Sequence, residues 1–373
     1  MRLFIDVHVL QTVPPSNLNR DDTGSPKSAV YGGVRRARVS SQAWKRATRT
    51  EFRELVDPNT LGVRTKRVVE LVAERIGARI PEKEARLAAA AQVLKDAGIV
   101  LEKPKKRKDA DKNAEEDPVE QSKYLLFLSA TQIDRLAELA VDAGGGKTDR
   151  AAAKAAANGA DSIDVALFGR MVADSADLNV DAAAQVAHAI SVHGVNNEFD
   201  YFTAVDDRSP DDSAGAGMIG VVEYNSSTLY RYATVNVEML EKNLGNKEAT
   251  VLAVETFLQA FVKSMPTGKQ NTFANRTLPD AVVVSLRTDQ PVNLVGAFED
   301  PVPGVGADRA AGAAKALVTR FRAIESAFGG ETVDFVVSAG EGSDALAEIA
   351  TPVPFATAVA GVATEVRAAL GLS

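Results

Sequence analysis

The sequence predicts an α+β fold, and three features of the chain support this assignment. Segments that alternate in polarity, as half-buried strands do, occur near both ends of the chain together with amphipathic helical segments. Residues from about 57 to 185 are instead rich in alanine, arginine and glutamate, which indicates a helical insertion. Residues 194–224 are rich in glycine, aspartate and serine and carry few helix signals, which indicates a long structured protrusion.

The first part of the predicted fold is a strand followed by a helix. Leu3–Leu10 has the pattern of a strand that is partly covered on both faces. The next thirty residues contain several prolines and glycines and are predicted to form an irregular loop. Ser40 or Ser41 then caps a helix that continues to about Leu55.

The insertion is predicted to consist of helices and flexible connections. Helices are expected at 64–80, 82–97 and 119–141. The charged segment 103–117 contains almost no apolar residue, so it is predicted to be a mobile loop. A glycine- and alanine-rich tract after the third helix is predicted to be a second flexible zone.

Strands and helices alternate again after the protrusion. Strands are predicted at 228–237, 281–287 and 332–339, and helices at 248–264, 308–328 and 354–370. Once the insertions are set aside, strands and helices alternate along the whole chain. This order is compatible with a ferredoxin-like or RRM-like core.

Composition excludes several kinds of site. The 373 residues include no cysteine and three histidines, which excludes disulfides, cysteine-based zinc sites and thiol nucleophiles and argues against a histidine-rich metal site. Asp6 and His8 interrupt the apolar N-terminal segment, so it is not a signal peptide, and no apolar run is long enough to span a membrane. We therefore expect a cytoplasmic protein that uses no cofactor and does not bind a membrane.

Positive charge is concentrated between Arg20 and Arg53. Nine of the twelve charged residues in this segment are basic, so the segment nets +6 in a chain whose net charge is −7, and the remaining residues carry −13. A cluster of one sign on a protein of the opposite sign is typical of a polyanion site. A solvated helix face normally mixes both signs, so the pattern favours nucleic acid or a phosphorylated ligand over a merely solvated surface.

The predicted helix after Ser40 carries an apolar stripe and a basic stripe. The apolar stripe, which is expected to pack on a sheet, consists of Trp44, Thr48, Phe52 and Leu55. The basic stripe consists of Lys45, Arg49 and Arg53, with Arg46 beside it. Ser40, Ser41 and Gln42 lie at the helix N-terminus, where unpaired backbone N–H groups attract anions. Hydroxyl, amide and cationic donors that converge there suit phosphate groups.

The loop at 16–22 adjoins the same helix. Asn19 and Arg20 can supply further phosphate contacts. Asp21 and Asp22 offer either a metal site for phosphodiester cleavage or turn formation with a local ion pair to Arg20. Two adjacent carboxylates without a third ligand are weak evidence for a metal, so the turn is favoured.

A second loop, at 264–276, contains Lys269 and Gln270 after Gly268. These residues either approach a backbone phosphate or base edge or belong to an ordinary connection between a helix and a strand. The loop lacks the spacing of glycines and lysine that defines a nucleotide-binding P-loop.

Several segments together resemble a known protein family. The N-terminal stretch IDVHVLQTVPPSNLNRDD, followed by SAVYGGVRRARVSSQAWKRA, is similar to the start of the backbone subunit of the type I-E CRISPR Cascade complex, a CasC/Cse-type protein of the RAMP superfamily. Further similar segments, in the same order as in the family, are ALFGRM (166–171), HAISVH (188–193), DYFTAVDD (200–207), LYRYATVNVEML (229–240) and PTGKQNTFA (266–274). The similarity is weaker over roughly 57–160 and 290–373.

The resemblance implies a three-part architecture and a function. The palm would be a modified RRM-like fold formed by 1–56, 186–193 and 225–373, with a helical finger insertion at 57–185 and a protruding thumb loop at 194–224. Copies of the chain would stack head to tail on a CRISPR guide RNA and display it for pairing with target DNA, together with other Cascade subunits, in antiviral defence. The family member implied is not an enzyme.

The resemblance also implies roles for individual residues. The positions that match guide-phosphate contacts are Lys27, Ser40, Gln42, Lys45, Arg46 and Arg49, with Asn19 and Arg20 adjoining. Met171 resembles an apolar residue that packs against a displaced nucleotide, and Phe202 and Thr203 resemble groups at a kink of the guide. Contact with the backbone, not with base edges, suits a protein that must accept any guide sequence.

Two other functions remain open at this point. One is a metal-dependent RNase of the type III kind, which would cleave target RNA with Asp21 or Asp22. The other is a free-standing RNA-binding module. Cleavage that requires a divalent cation identifies the first, and a single copy bound to each RNA identifies the second.

Overall fold

The computed structural model describes residues 2–104, 119–172, 175–204, 218–304 and 307–372. The helices are α1 (Ser41–Leu55), α2 (Val68–Ile76), α3 (Lys83–Asp96), α4 (Ala130–Asp142), α5 (Arg150–Ala157), α6 (Ile163–Phe168), α7 (Val237–Leu244), α8 (Lys247–Lys263), α9 (Gln270–Phe273), α10 (Ala307–Phe328) and α11 (Phe355–Leu370). The strands are β1 (Phe4–Ser16), β2 (Ser28–Tyr31), β3 (Val34–Val39), β4 (Val63–Thr65), β5 (Leu101–Glu102), β6 (Gln121–Ser122), β7 (Leu126–Leu128), β8 (Ala184–Val186), β9 (Ala189–Ser191), β10 (Glu198–Ala204), β11 (Met218–Asn236), β12 (Ala281–Arg287) and β13 (Val333–Ser338).

The chain divides into two compact units. The first comprises 1–52, 185–236 and 254–373, and the second comprises 53–184 and 237–253. Helices and antiparallel sheet occur together, which confirms the α+β prediction. Most of the loop predicted at 103–117, and the centre of the predicted protrusion at 205–217, lie outside the described residues. In the described part of the chain, no helix combines the length and the apolar character needed to cross a bilayer.

The first unit is built on one antiparallel sheet with the strand order β13-β12-β1-β11-β9-β3-β2. Strands β8 and β10 also pair with β11. The central strand β1 pairs with β11 on one side and with β12 on the other. Its residues from Ile5 to Gln11 are buried, so both of its faces are covered, as the sequence predicts.

Helical segments cover both faces of this sheet, because side chains alternate between the faces along each strand. On one face, Leu10 and Tyr230 belong to an apolar cluster with Leu317 of α10. On the other face, Leu229 clusters with Trp44 of α1. The aromatic residues of the first face are therefore buried under α10. RNA stacking on an open sheet face, as in an isolated RRM, is excluded for those side chains.

The prediction of an irregular loop after the first strand is wrong in two respects, because much of this segment forms strands. Strand β1 continues to Ser16, because Pro14 and Pro15 lie at a register shift between Val13 and Ser16, where the ladder does not need their missing N–H groups. Residues 28–39 form the β2–β3 hairpin. Its two-residue turn, Gly32–Gly33, has positive φ angles at both positions, which is the geometry that a tight hairpin requires.

Other predicted boundaries also change. The helix predicted over 119–141 begins only at Ala130, because Ser129 and Gln132 form a reciprocal capping box and short strands precede it. The helix predicted over 64–80 is shorter (Val68–Ile76) and follows β4. The predicted strand at 228–237 is the second half of a long strand that begins at Met218.

The second unit has a helical core. Apolar residues of α2, α3, α4 and α5 pack into one cluster, which includes Val72, Leu94 and Leu136 as fully buried members. This agrees with the alanine-rich helical pattern of the insertion.

Candidate nucleic-acid interface

The N-terminus of α1 is held by side chains from its own cap and from the preceding loop. The Ser40 hydroxyl accepts a hydrogen bond from the Ala43 backbone N–H (3.3 Å), so Ser40 caps the helix. The Asn19 side-chain oxygen accepts one from the Ser40 backbone N–H (2.9 Å). The Lys27 backbone N–H in turn donates to the Asn19 carbonyl (2.9 Å). Both ends of the 19–27 loop are therefore fixed at the start of the helix.

The first two turns of α1 present two cations, Lys45 and Arg46. In the described part of the chain, neither Lys45 nor Arg46 contacts a carboxylate. Glu51, further along the helix, pairs with Arg276 at 3.8 Å. Burial lowers the pKa of Lys45 because it disfavours the charged form. An anion bound next to Lys45 would favour its charged form. Gln42 lies exposed one turn earlier.

Arg38 is one of the nine basic residues of the 20–53 segment, but it was not among the phosphate contacts predicted from the sequence. Its guanidinium donates to the Ser28 carbonyl and to Nδ1 of His188 (both 3.1 Å). Partial burial, followed by the charges of Arg38 and Lys27, lowers the pKa of His188. A neutral imidazole that accepts at Nδ1 carries its proton on Nε2, so the exposed His188 can donate to an anion. His188 directly precedes β9, which pairs with β3, and 150 residues separate it from Arg38, so the sequence alone does not bring the two side chains together.

Arg36, in contrast, does not belong to the interface. Its side chain is completely buried and donates to the backbone carbonyls of Tyr31, Ser191, Phe298 and Glu299. It therefore anchors the β2–β3 hairpin, and one of the nine basic residues of the cluster is structural.

The two candidate loops lie side by side. The carbonyls of Asn17 and Leu18 press so closely on Gly268 that a β-carbon there would lie 2.3 Å from the Leu18 oxygen. Lys269 follows in the left-handed backbone conformation, with φ of 52°. Gly268 also lines a surface depression with residues 18–24. Lys269 and Gln270 are thus brought beside Asn19 and Arg20.

We define the basic surface as the cationic residues that surround the N-terminal half of α1. It consists of Arg20, Lys27, Arg38, Lys45, Arg46, Arg49 and Lys269. The surface combines side chains from four different segments, and its backbone supports come from Asn19, Ser40 and Gly268.

The expected ion pair at 20–22 does not form. Asp21 Oδ1 instead accepts hydrogen bonds from the Thr23 hydroxyl (2.7 Å), the Thr23 backbone N–H (2.9 Å) and the Ser25 backbone N–H (3.0 Å). These bonds, that of the Thr23 hydroxyl first, lower the pKa of Asp21. Turn formation is therefore the role that the structure assigns to Asp21. In the described ranges, no group of three or more histidine, aspartate or glutamate side chains is arranged to hold a metal ion.

The predicted protrusion is a two-stranded ribbon. Strand β10 pairs with residues 218–224 of β11, and we call these paired segments the ribbon. One face exposes four large apolar side chains, each more than half accessible: Phe199, Tyr201, Ile219 and Val221. Phe202 lies on the opposite face, where its ring fills the space above Gly220. Thr203 is exposed next to the part of the chain that the structure does not describe.

Met171 belongs to the second unit, where it is 81% exposed. It follows Arg170, whose buried guanidinium donates to the carbonyls of Leu178 (2.6 Å) and Phe127 (3.2 Å) and to the side chain of Gln132 (2.9 Å). An antiparallel bridge to Val180 fixes the same backbone. Met171 is therefore an exposed apolar side chain that follows a firmly held arginine.

A family model described as CT1975-like protein matches residues 5–353, a range that includes the basic surface and the ribbon. No curated protein matches the chain. A chain of a structure described as a CRISPR RNA-guided surveillance complex, pre-nicking, is 33% identical with a TM-score of 0.83, and the alignment covers 97% of this chain and 100% of that chain. A chain of another CRISPR RNA-guided surveillance complex is 29% identical with a TM-score of 0.69, covering 97% and 99% respectively.

Proposed function

This chain belongs to the CT1975-like protein family, and we propose that it is a non-catalytic, RNA-binding backbone subunit of a Cascade-type CRISPR surveillance complex. In this role, several copies bind one guide RNA head to tail and hold its phosphates. The bases remain free to pair with target DNA, and other Cascade subunits complete the complex. Full-length similarity to chains of RNA-guided complexes supports the proposal.

The observation that carries the proposal is the basic surface. Lys45 and Arg46 have no carboxylate partner among the described residues, although the rest of the chain carries a large excess of negative charge. Cations left uncompensated beside a helix N-terminus are suited to phosphate oxygens. Phosphate contacts carry no sequence information, which fits a protein that must hold any guide.

The finer architecture belongs to the same proposal. When the intervening elements are left out, β1, α1, β9, β11, α8 and β12 have the order strand, helix, two strands, helix and strand, which supports an RRM-like palm. The ribbon is proposed to be the thumb that reaches the guide and a neighbouring copy, with Phe202 and Thr203 near the guide. The division into palm, finger (57–185) and thumb (194–224) stays a prediction, as does contact of Met171 with a displaced nucleotide.

The absence of catalysis is also part of the proposal. Asp21 Oδ1, the carboxylate oxygen with the greatest number of contacts in the loop, accepts three hydrogen bonds from its own turn. Metal-assisted hydrolysis would need this oxygen to leave those donors. A structural role for Asp21 therefore fits its contacts better than a role in cleavage.

The number of copies on RNA of increasing length tests the proposal. Native mass spectrometry of the purified chain with synthetic guide RNAs, in Mg²⁺ or Mn²⁺, should show copies that increase stepwise with RNA length while the RNA remains intact. One copy at every length would support a free-standing module instead. Shortened RNA that disappears in Asp21→Asn or Asp22→Asn would support an RNase.

A further inference from the structure

The ribbon leaves the sheet at a point where the β-ladder is interrupted. Strand β11 pairs with β1 from Asn236 back to Ser227, shifts register, and makes its last pair at Asn225 with Ser16. Residues 218–224 then pair with β10. A two-stranded ribbon is only marginally stable by itself, and a register shift allows the strand to bend. The direction of the ribbon therefore depends on contacts at its base.

Those contacts converge on Glu223. Its two carboxylate oxygens accept hydrogen bonds from the Ser25 hydroxyl and from the Asn197 side-chain amide (both 2.9 Å). Its backbone carbonyl accepts one from the Asn17 side-chain amide (2.8 Å), which also donates to the Gly24 carbonyl (3.0 Å). Asn17 is 1% exposed, so this connection is shielded from water.

The same loop leads directly to the basic surface. Ser25 and Gly24 lie between Arg20 and Lys27, and the backbone of Lys27 is bonded to Asn19, which holds the N-terminus of α1. Hydrogen bonds, together with the short stretch of backbone from Ser25 to Lys27, thus connect the α1 N-terminus, the 17–27 loop and Glu223. A phosphate that orders this loop also orders the base of the ribbon.

We propose that Glu223 is a positioning residue that couples guide binding to the addition of the next copy of this chain; this inference rests on the function proposed above. Seven residues of β10 extend roughly 23 Å at ~3.3 Å per residue. A tilt of about 10° at the base would therefore move the tip by roughly 4 Å, which is enough to misplace contact with a neighbour. Glu223 need not touch the guide to have this effect.

The test separates binding of one copy from binding of the next. The variant is Glu223→Ala, and its matched control is Glu198→Ala, which removes the same charge from the opposite face of the ribbon and loses only a 3.4 Å contact with Tyr224. Binding is measured on an RNA just long enough for one copy and on RNAs long enough for several. The cooperativity factor is then the ratio of the successive binding constants.

We expect Glu223→Ala to bind the short RNA within about two-fold of Glu198→Ala and to lose about ten-fold in cooperativity, the effect of one hydrogen bond to a charged group. Ser25→Ala removes the bond to Glu223 and a 3.1 Å contact with the exposed Thr23 hydroxyl. It should lose part of the cooperativity, and the double variant should lose no more than Glu223→Ala alone. Ser25→Ala alone decides the matter if Glu223→Ala does not fold.

Two results would overturn the inference. One is equal cooperativity in Glu223→Ala, Ser25→Ala and Glu198→Ala. The other is a parallel loss of short-RNA affinity and cooperativity, which would make Glu223 a support of the binding loop alone. If the unmodified chain places one copy on every RNA, the proposed function itself fails, and this outcome is distinct from both.

Discussion

Single residues at the interface act mainly by holding backbone in place. The Asn19 side chain accepts a hydrogen bond from the backbone at the start of α1. All three nitrogens of the Arg36 guanidinium donate to backbone carbonyls. Gly268 has no side chain, which permits its loop to lie against Asn17 and Leu18. The cations of the basic surface depend on these supports for their positions, so a neutral substitution at a support should alter RNA binding.

Gly268→Ala tests that dependence. Its β-carbon would lie 2.3 Å from a backbone oxygen, which has to move. We expect the free energy of unfolding to fall by about 1–3 kcal/mol and RNA affinity to fall with it. Gly194→Ala is the matched control, because its β-carbon would meet no atom closer than 3.8 Å and should change stability by about 0.5 kcal/mol or less. Equal denaturation midpoints for the two variants would refute the close approach.

At the scale of the elements, the ribbon is notable for its exposed apolar face. Its exposed face places Tyr201 directly opposite Val221, with Thr203 opposite Ile219 in the next pair on the same face. Apolar side chains grouped on an exposed surface are typical of an interaction site. In the proposed assembly, this face packs against RNA or a second copy, and its apolar side chains become buried.

The double variant Tyr201→Ser with Val221→Ser should separate folding from assembly. Both side chains are at least 60% exposed, so we expect a change in melting temperature of no more than about 2 °C. On long RNA, the number of copies bound per RNA should fall, since the apolar contact is lost. Leu278→Ser, at an exposed apolar position outside the ribbon, is the control. Normal assembly by sedimentation would show that this face has no partner in the complex.

Elements were predictable where the pattern is local, and the interface was predictable only in part. The apolar and basic stripes of α1 follow from helical spacing, and the structure buries Trp44 and Phe52 accordingly. The burial of Arg36 could not be predicted, because one of its carbonyl partners lies 262 residues away. The same holds for the contact between Gly268 and Leu18. The Gly32–Gly33 turn was visible in the sequence as a hairpin signal, but the surrounding prolines and glycines favoured a loop.

At the scale of the whole molecule, charge and sheet coverage point to the same interface. Helix α10 covers the sheet face that carries Tyr230, so that face cannot stack bases. The residues outside 20–53 carry a net charge of −13, which disfavours phosphate binding over most of the surface. The N-terminal half of α1 therefore offers favourable charge to a polyanion, and the central claim is that guide phosphates occupy it.

The salt dependence of RNA affinity most directly tests whether guide phosphates bind at the N-terminal half of α1. Lys45→Ala with Arg46→Ala removes two cations of the basic surface, and Lys315→Ala with Arg320→Ala removes two exposed cations from α10, across the sheet. For the first pair, we predict weaker binding to every guide sequence and a slope of log K against log salt that is shallower by about 1.4, or ~0.7 for each lost contact to a single strand. The α10 pair should leave both quantities unchanged. An unaltered slope and affinity in the α1 pair, or equal losses in the two pairs, would contradict the account.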